Sequence, residues 1–308
     1  MKKKLIIVDH NGGRLGNQLW NIANLYAYCL ERGFIMRNYA FYQYARFFEM
    51  MCLSPFIDPM IRFLPQRLQR RLYTYLQGRI KNTQLSAVLR ADEEVEGNPV
   101  RLYLPPSSPR SPNQESMLQA AENSSSSIYT FGWLFRNPVG LEKYRAQIVH
   151  YMRPRTGIRR KQEAYIQNLR EKYKTIIGVH IRQGDYRIYR GGVLYFAPES
   201  VRQLLDAYLK ATNKQAKETL FLVCSDEPIP SHIWEGLSVI QSKASPVEDL
   251  YLLSLTDRII GSNSTFGGFA AWYGNIPITV FSHEKLDWGQ EESKTTFVYE
   301  QAPSSLQL

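Results

Sequence analysis

A histidine, an arginine and an aspartate close the stretch "TIIGVHIRQGD": His180, Arg182 and Asp185 stand at the end of an apolar run of strand length. An arginine at a strand end can fork onto a phosphate with two hydrogen bonds. A histidine beside it can donate to a base or a phosphate. An aspartate there can hold the arginine in place or contact a sugar. The plainer reading is a buried histidine and a surface Arg–Asp pair; the chemical one is recognition of an anionic, phosphate-bearing ligand.

Three other loops share the same setting, a turn after an apolar run. In "NGGRLGN" the segment from Gly12 to Asn17, with Gly13 and Gly16, precedes a helical pattern, so backbone can approach a ligand and free N–H groups face it. Ser225 and Asp226 follow "LFLVC", where Ser-Asp is also a common helix cap. In "GSNSTFGG" Ser262, Asn263, Ser264 and Thr265 lie between a strand and a helix start. Their hydroxyls and amides suit an anion nest, or equally an N-cap cluster. The GGxxG spacing is not the full dinucleotide fingerprint, and the second strand ends in Arg37 and Asn38 rather than an acid, which argues against a nicotinamide enzyme. The chain has no Walker A lysine motif, no CxxC, no HExxH and no DxD. A nucleotide diphosphate bound here would rest on arginine, hydroxyls and helix ends, with no metal ligand set.

The elements that must position these loops follow from periodicity. "LIIVDH", the glycine turn and "QLWNIANLYAYCLERG" read as strand, turn and helix, with Leu19, Ile22, Ala23, Tyr26, Ala27 and Leu30 at helical spacing and Gly33 closing the helix. "FIMRNYAF" is the next strand. Residues 41–90 read as helical and basic, and 91–127 as an acidic cluster followed by Pro- and Ser-rich loop. "SIYTFGW" resumes a strand and "LEKYRAQIVHYM" an amphipathic helix. From Gln162 the alternation sharpens: the strands "TIIGVHI", "LFLVCSD", "RIIGSN" and "IPITVF" are separated by helices, which predicts a second parallel sheet of four strands. The expectation is an α/β chain of two Rossmann-like domains facing each other across a cleft, 1–155 and 156–308.

Composition sets the bounds. The 308 residues are 44% hydrophobic and 21% charged, values of a globular chain, and no apolar run is long enough to span a bilayer. "MKKKLIIVDH" opens like a signal peptide, but its apolar part is too short and meets Asp9 at once. Three cysteines without paired spacing suit a reducing compartment, so a cytoplasmic location is expected. The net charge of +10 bears on partners. Between Ile61 and Arg90 there are seven cations and no acid, which suits an anionic membrane surface, a nucleic acid, a phosphorylated substrate, or simply a solvated helix face.

Taken together, "GGRLGNQLW", "HIRQGDY", "VCSDEP" and "SNSTFGGFAAWYG" resemble the motifs of the α-1,2-fucosyltransferases, glycosyltransferase family 11, within the wider superfamily that includes α-1,6- and protein O-fucosyltransferases. The likeness covers most of the chain except roughly 41–125. It implies the GT-B fold and an inverting transfer of L-fucose from GDP-β-L-fucose to a galactoside or related glycan hydroxyl, without a metal cofactor. It places the GDP-sugar donor on the C-terminal domain and the acceptor on the N-terminal one. Arg182 then matches the arginine that clamps the β-phosphate, with Asp185 beside it; His180 and Asp249 match positions that contact guanine; Asp226, Ser264 and Thr265 fall on the donor side; and Gly13, Gly16, Asn17 and Gln18 fall on the acceptor side, with Asn17 in the catalytic set.

Two positions depart from the pattern. Gln183 replaces a second arginine, removing one cation from the clamp, and an arginine restored there is expected to be harmless. "GGFAAW" replaces SWWAAW, thinning an aromatic wall. Another GDP-sugar or another fucosyl linkage is the alternative reading of the same site.

The chemistry expected is loss of GDP through an oxocarbenium-like transition state, with the charge that builds on the departing phosphate met by Arg182 and helix N-termini. Asp9 and His10, just before the glycine turn, are base candidates by position. The rival from another class is a non-enzymatic nucleic-acid-binding protein. The cations are not interleaved with the aromatic platform of an RNA module, so no nucleic acid is expected. The basic stretch 61–90 is expected to dock the chain peripherally on the inner face of a membrane, where a lipid-linked glycan acceptor would lie.

Overall fold

The computed structural model describes residues 4–8, 13–41, 43–52, 56–65, 67–69, 71–72, 75, 100–104, 113–124, 127–132 and 134–298. The chain divides into two compact units, Met1–Arg155 and Thr156–Leu308.

In the first unit, β1 (Leu5–Val8) and β2 (Ile35–Asn38) flank α1 (Leu15–Arg32) in sequence, α2 (Ile57–Arg62) is a short helix, and β3 (Val100–Leu104), α3 (Gln114–Ser124) and β4 (Ser127–Gly132) complete a four-stranded parallel sheet of order β2-β1-β4-β3. α1 is buried on nearly every side, from Leu15 to Cys29, and its hydrophobic pattern is accordingly broad rather than a narrow stripe. Gly33 ends it in the left-handed region at φ 66°, returning its N–H to the Cys29 carbonyl. Three expectations are corrected here. β3 and α3 lie inside the stretch read as loop. The described part of 41–90 begins with turns and the six-residue α2 rather than long helix. The single helix expected over "LEKYRAQIVHYM" is two, α4 (Pro138–Lys143) and α5 (Arg145–Tyr151), parted at Tyr144, which has left helical geometry at φ −109°, ψ 18°. The Pro- and Ser-rich run 105–112 and residues 76–99 of the basic and acidic stretch lie outside the described residues.

The second unit contains α6 (Thr156–Arg170), β5 (Thr175–Ile181), α7 (Pro198–Thr212), β6 (Thr219–Ser225), β7 (Ser238–Gln241), α8 (Pro246–Leu253), β8 (Arg258–Gly261), α9 (Thr265–Gly274), β9 (Ile278–Val280) and α10 (Trp288–Ser293). Its sheet is wholly parallel, with order β7-β6-β5-β8-β9. There are five strands, not four: β7, half-buried throughout, was missed.

Period-two alternation sorts β5 between two helix layers. Ile177, Val179 and Ile181 join Val201, Leu205 and Tyr208 of α7 in one core. Ile176 joins Ile166 and Leu169 of α6 and Leu252 of α8 in the other. His180 therefore projects on the second face. The chain leaves β5 for β6 on one side and reaches β8 on the other, so the carboxyl ends of β5 and β8 form the topological switch point where open α/β sheets bind ligands. Among the described residues no helix is long and apolar enough to cross a membrane.

Arg258, only 5% exposed at the start of β8, secures the far end of this unit. It donates to the Glu291 carbonyl at 3.0 Å and the Lys294 carbonyl at 3.1 Å, and pairs with the Glu292 carboxylate at 3.4 Å, capping the end of α10. Arg258→Leu leaves those carbonyls unsatisfied and is expected to cost about 2 kcal/mol. Urea unfolding checks this: a lowered midpoint at unchanged m value is expected, and an unchanged midpoint contradicts the role.

Candidate functional site

Strand register assembles the site. Ile181 is level with Ser225 of β6, and His180 with Gly261 of β8. One step beyond, Arg182 lies between Asp226 and Ser262. The Arg182 backbone N–H donates to Ser262 Oγ at 2.8 Å. Its guanidinium gives Nη1 to Asp226 Oδ2 at 2.8 Å and Nη2 to Asp185 Oδ1 at 2.7 Å, and it lies 5.7 Å from the Tyr186 ring centre. The Arg182 side chain is 15% exposed and Asp185 48%. The inner carboxylate, Asp226, is fixed a second time, because its Oδ1 accepts the Gln183 N–H at 2.7 Å. Asp226 is thus a rigid strut under the arginine, and Asp185 a more exposed partner at the solvent side. The outer pair with Asp185 is open enough to add little to stability; what the two pairs supply is direction.

Gln183 is not a lost cation but a structural residue. It is 2% exposed and donates through Nε2 to the Phe196 carbonyl at 2.9 Å. An arginine in its place would carry a charge into a buried, filled position, so the geometry argues for destabilisation rather than a harmless substitution.

His180 and Asp249 share one face of the sheet. His180 is 6% exposed, stacks on Phe266 of α9 (5.0 Å between centres, 26° between planes), and keeps a buried Nδ1 without a partner. Burial, and next the Arg182 charge, hold its pKa down to about 3, so the ring is neutral. A Cβ at Gly267 would come within 3.3 Å of Nδ1, so glycine gives the ring its room. His180 is level with Cys224 on β6, and Asp249 reaches Cys224 from the first turn of α8. Asp249 also accepts from the Ser242 hydroxyl. Burial raises its pKa to about 6, against hydrogen bonds from Ser242 and Cys224 that lower it. α8 itself is fixed by a capping box, Ser245 with Glu248, and Pro246 at its first position.

Ser264 N-caps α9, its Oγ accepting the Phe266 N–H at 3.2 Å; Thr265 opens the helix and is half-buried. Tyr186 donates its hydroxyl to the Asn263 carbonyl at 2.8 Å, tying the arginine loop to the serine loop. Within "GGFAAW", the segment read as a thinned aromatic wall, Phe269 belongs to the core: it is 1% exposed and packs on Trp272 and Tyr273.

In the first unit, Gly13 sits in the left-handed region at φ 74°, and a Cβ there would lie 2.2 Å from Asn17 Nδ2. Asn17 is half-buried against it. Gly16 and Gln18 are buried, and Gln18 donates to the Gly13 carbonyl at 3.1 Å. Asp9, His10 and Gly12 lie outside the described residues. A cavity of about 540 Å³ in this unit is lined by Tyr26, Met36, Met50 and Tyr151, among others, and by none of the candidate donor- or acceptor-side residues. Among the described residues no three His, Cys, Asp or Glu side chains converge on a point where they could hold a metal ion.

Sequence reasoning missed the struts: Gln183, Tyr186, Phe266, Ser242 and Cys224. Only Tyr186, in "GDY", and Phe266, beside the helix cap, carried a local signal; the others depend on strand register.

No protein-family model matches this chain, and no curated protein matches it in sequence. Solved structures do. A point mutant of Arabidopsis thaliana FUT1 in complex with GDP is 16% identical, with a TM-score of 0.57 over 92% of this chain and 72% of that one. The NodZ α-1,6-fucosyltransferase of Bradyrhizobium, soaked with GDP-fucose, is 17% identical with a TM-score of 0.50 over 92% of this chain and 96% of that one. POFUT1 in complex with GDP is 13% identical with a TM-score of 0.50 over 91% and 99%. The likeness establishes the fold: this chain has the α/β GT-B fold of these fucosyltransferase structures.

Gln183→Arg is expected to lower the thermal midpoint by several degrees, because a buried unpaired charge replaces a satisfied amide. Differential scanning calorimetry checks it; an unchanged midpoint contradicts the structural role of Gln183.

Proposed function

We propose that this chain is an inverting glycosyltransferase moving L-fucose from GDP-β-L-fucose to a hydroxyl of a galactoside or related glycan, in α-1,2 linkage. The observation that carries the proposal is the Arg182 guanidinium, held by Asp226 and Asp185 at the switch point of a GT-B fold. A planar, permanently charged fork in that position suits a diphosphate. The four motifs of the sequence, and structures of like fold solved in complex with GDP or soaked with GDP-fucose, support the nucleotide and the sugar. The linkage rests on the motif resemblance alone.

In this reading the donor lies on the second unit. Asp249 accepts from the guanine edge, and neutral His180, on the same sheet face, adds a flat wall and a ring nitrogen. Ser264, Thr265 and the start of α9 receive phosphate oxygens. As the glycosidic bond breaks, charge gathers on the β-phosphate, and Arg182, held in place by Asp226, meets it on the side where the phosphate displaces Asp185. The motif resemblance gives Gly13, Gly16, Asn17 and Gln18 of the first unit to the acceptor; Asp9 and His10 are base candidates by sequence position alone. No metal is required.

Incubating the purified protein with GDP-fucose and a panel of β-galactosides tests the reading. Fucosylated product with the linkage at O2 is expected, undiminished in EDTA. Transfer from GDP-mannose instead, another linkage, or activity lost in chelator and restored by manganese would each contradict its part of the proposal. Arg182→Ala should lose roughly 10²–10³ of turnover, and Arg182→Lys should recover little, since lysine cannot fork onto phosphate; near-normal turnover in Arg182→Ala would remove the basis of the mechanism.

The raised pKa of Asp249 gives a pH signature. Its carboxylate form, the one that accepts from guanine, is present above about pH 6 and lost below it. The KM for GDP-fucose, whose diphosphate is esterified at both ends and does not titrate in this range, should therefore rise about tenfold per pH unit below that value. Asp249→Asn should give a weak, pH-flat KM; a wild-type KM that is flat through pH 6 contradicts the assignment. For stability the sign is the reverse of the usual carboxylate. With its folded pKa above the ordinary value, Asp249 contributes stability as pH falls below about 6 and loses it as pH rises through that value.

A further inference from the structure

The short helix α2 is turned inside out. Asp58 and Ile61 point inward, at 1% and 2% exposure, while Phe56, Met60 and Phe63, spaced i, i+4, i+7, face solvent at 69%, 72% and 90%. Burial of Asp58 has a definite cause: its Oδ2 accepts the Cys52 N–H at 3.0 Å. Asp58 is also the only acid between Met50 and Arg90, a stretch with seven cations. The one negative charge of this stretch is thus turned away from solvent, while among the described residues Phe56, Met60, Phe63, Arg67, Leu68 and Arg71 are exposed.

The helical residues that follow continue the pattern. Gln69 turns inward, 3% exposed, with Nε2 on the Leu64 carbonyl at 2.7 Å, and Arg67, Leu68 and Arg71 stay exposed. Leu72, four residues beyond Leu68, is half-buried. The patch begins upstream of the position that sequence suggested, at α2.

We propose that the exposed side chains of Phe56, Met60, Phe63, Arg67, Leu68 and Arg71 dock this chain on an anionic lipid bilayer. Large apolar side chains exposed together on a short helix lack burial, and a bilayer interface supplies it. Arginines beside them gain from the negative surface potential of anionic lipid and are screened by salt. A second protein copy would answer the apolar term but would bring like charges face to face, since each copy carries the same arginines. A nucleic acid would answer the charge and leave the phenylalanines in water. An anionic bilayer meets both. The inference is independent of the transfer reaction.

Co-sedimentation of the full chain with vesicles, at low and high salt, tests it. The expected result is pelleting with mixed phosphatidylglycerol–phosphatidylcholine vesicles at low salt, weakened by high salt and absent with phosphatidylcholine alone. The double substitution Met60→Asp, Phe63→Asp should lower vesicle affinity about tenfold or more with an unchanged melting temperature, because both side chains are already exposed. Arg67→Glu with Arg71→Glu should lower it similarly. A protein that stays in the supernatant at low salt overturns the proposal. So does an aspartate variant that binds as tightly as the wild type, which would mean charge alone. A lowered melting temperature or a shift from dimer to monomer in the aspartate variant, with no vesicle binding by the wild type, would mean that this chain or a second copy covers the face.

Discussion

The site depends on one interaction, the bond between the Arg182 guanidinium and Asp226. An arginine side chain has many rotamers, and left alone at the end of β5 it would sample most of them in water. Asp226 removes that freedom because it is itself pinned, by the Gln183 N–H on one oxygen and the guanidinium on the other. Gln183 in turn is locked on the Phe196 carbonyl. The arginine is therefore oriented by backbone, through two links, rather than by another flexible side chain. Asp185, nearly half exposed, is the partner that an incoming anion would compete with.

The same end of the sheet separates charge from neutrality. Arg182 keeps its charge, and one residue before β5 ends, His180 is held neutral by burial and by that charge. Across the sheet face Asp249 is pushed the other way, its carboxyl made harder to ionise by desolvation. A cation, a neutral ring and a carboxyl tuned near neutral pH within a few strand spacings suit a ligand with one anionic end and one polar, aromatic end. Glycine at 267 and the stacked Phe266 shape the neutral part of that surface.

Much of this was legible in the sequence, for reasons that can be named. β5, β6 and β8 are buried on both faces and read as unbroken apolar runs. α7 begins with Pro198 and α8 with Ser245 and Pro246, standard helix openings. The residues after those strands, Arg182, Asp226 and Ser262, were visible as strand-end loops. Their mutual contact was not, since it requires knowing that Ile181 is level with Ser225 and His180 with Gly261. β7 and β3 escaped because neither reads as an unbroken apolar run: "SVIQ" is half-buried throughout, and "VRLYL" alternates within a stretch of acids and prolines. The break at Tyr144 carries no proline or glycine, so nothing local announces it. Gln183 looked like a missing charge because its type says nothing about the direction it points.

The central claim is that Arg182 reads the second phosphate of a guanine nucleotide. Calorimetric titration of GDP and of GMP into the wild type and into Arg182→Ala, at neutral pH, tests it most directly. The account predicts that the wild type prefers GDP, that the variant loses roughly tenfold to a hundredfold in GDP affinity, as expected for hydrogen bonds to a charged group, and that GMP affinity barely moves, so the preference disappears. An Arg182→Ala variant that retains the wild-type ratio of GDP to GMP affinity would contradict it.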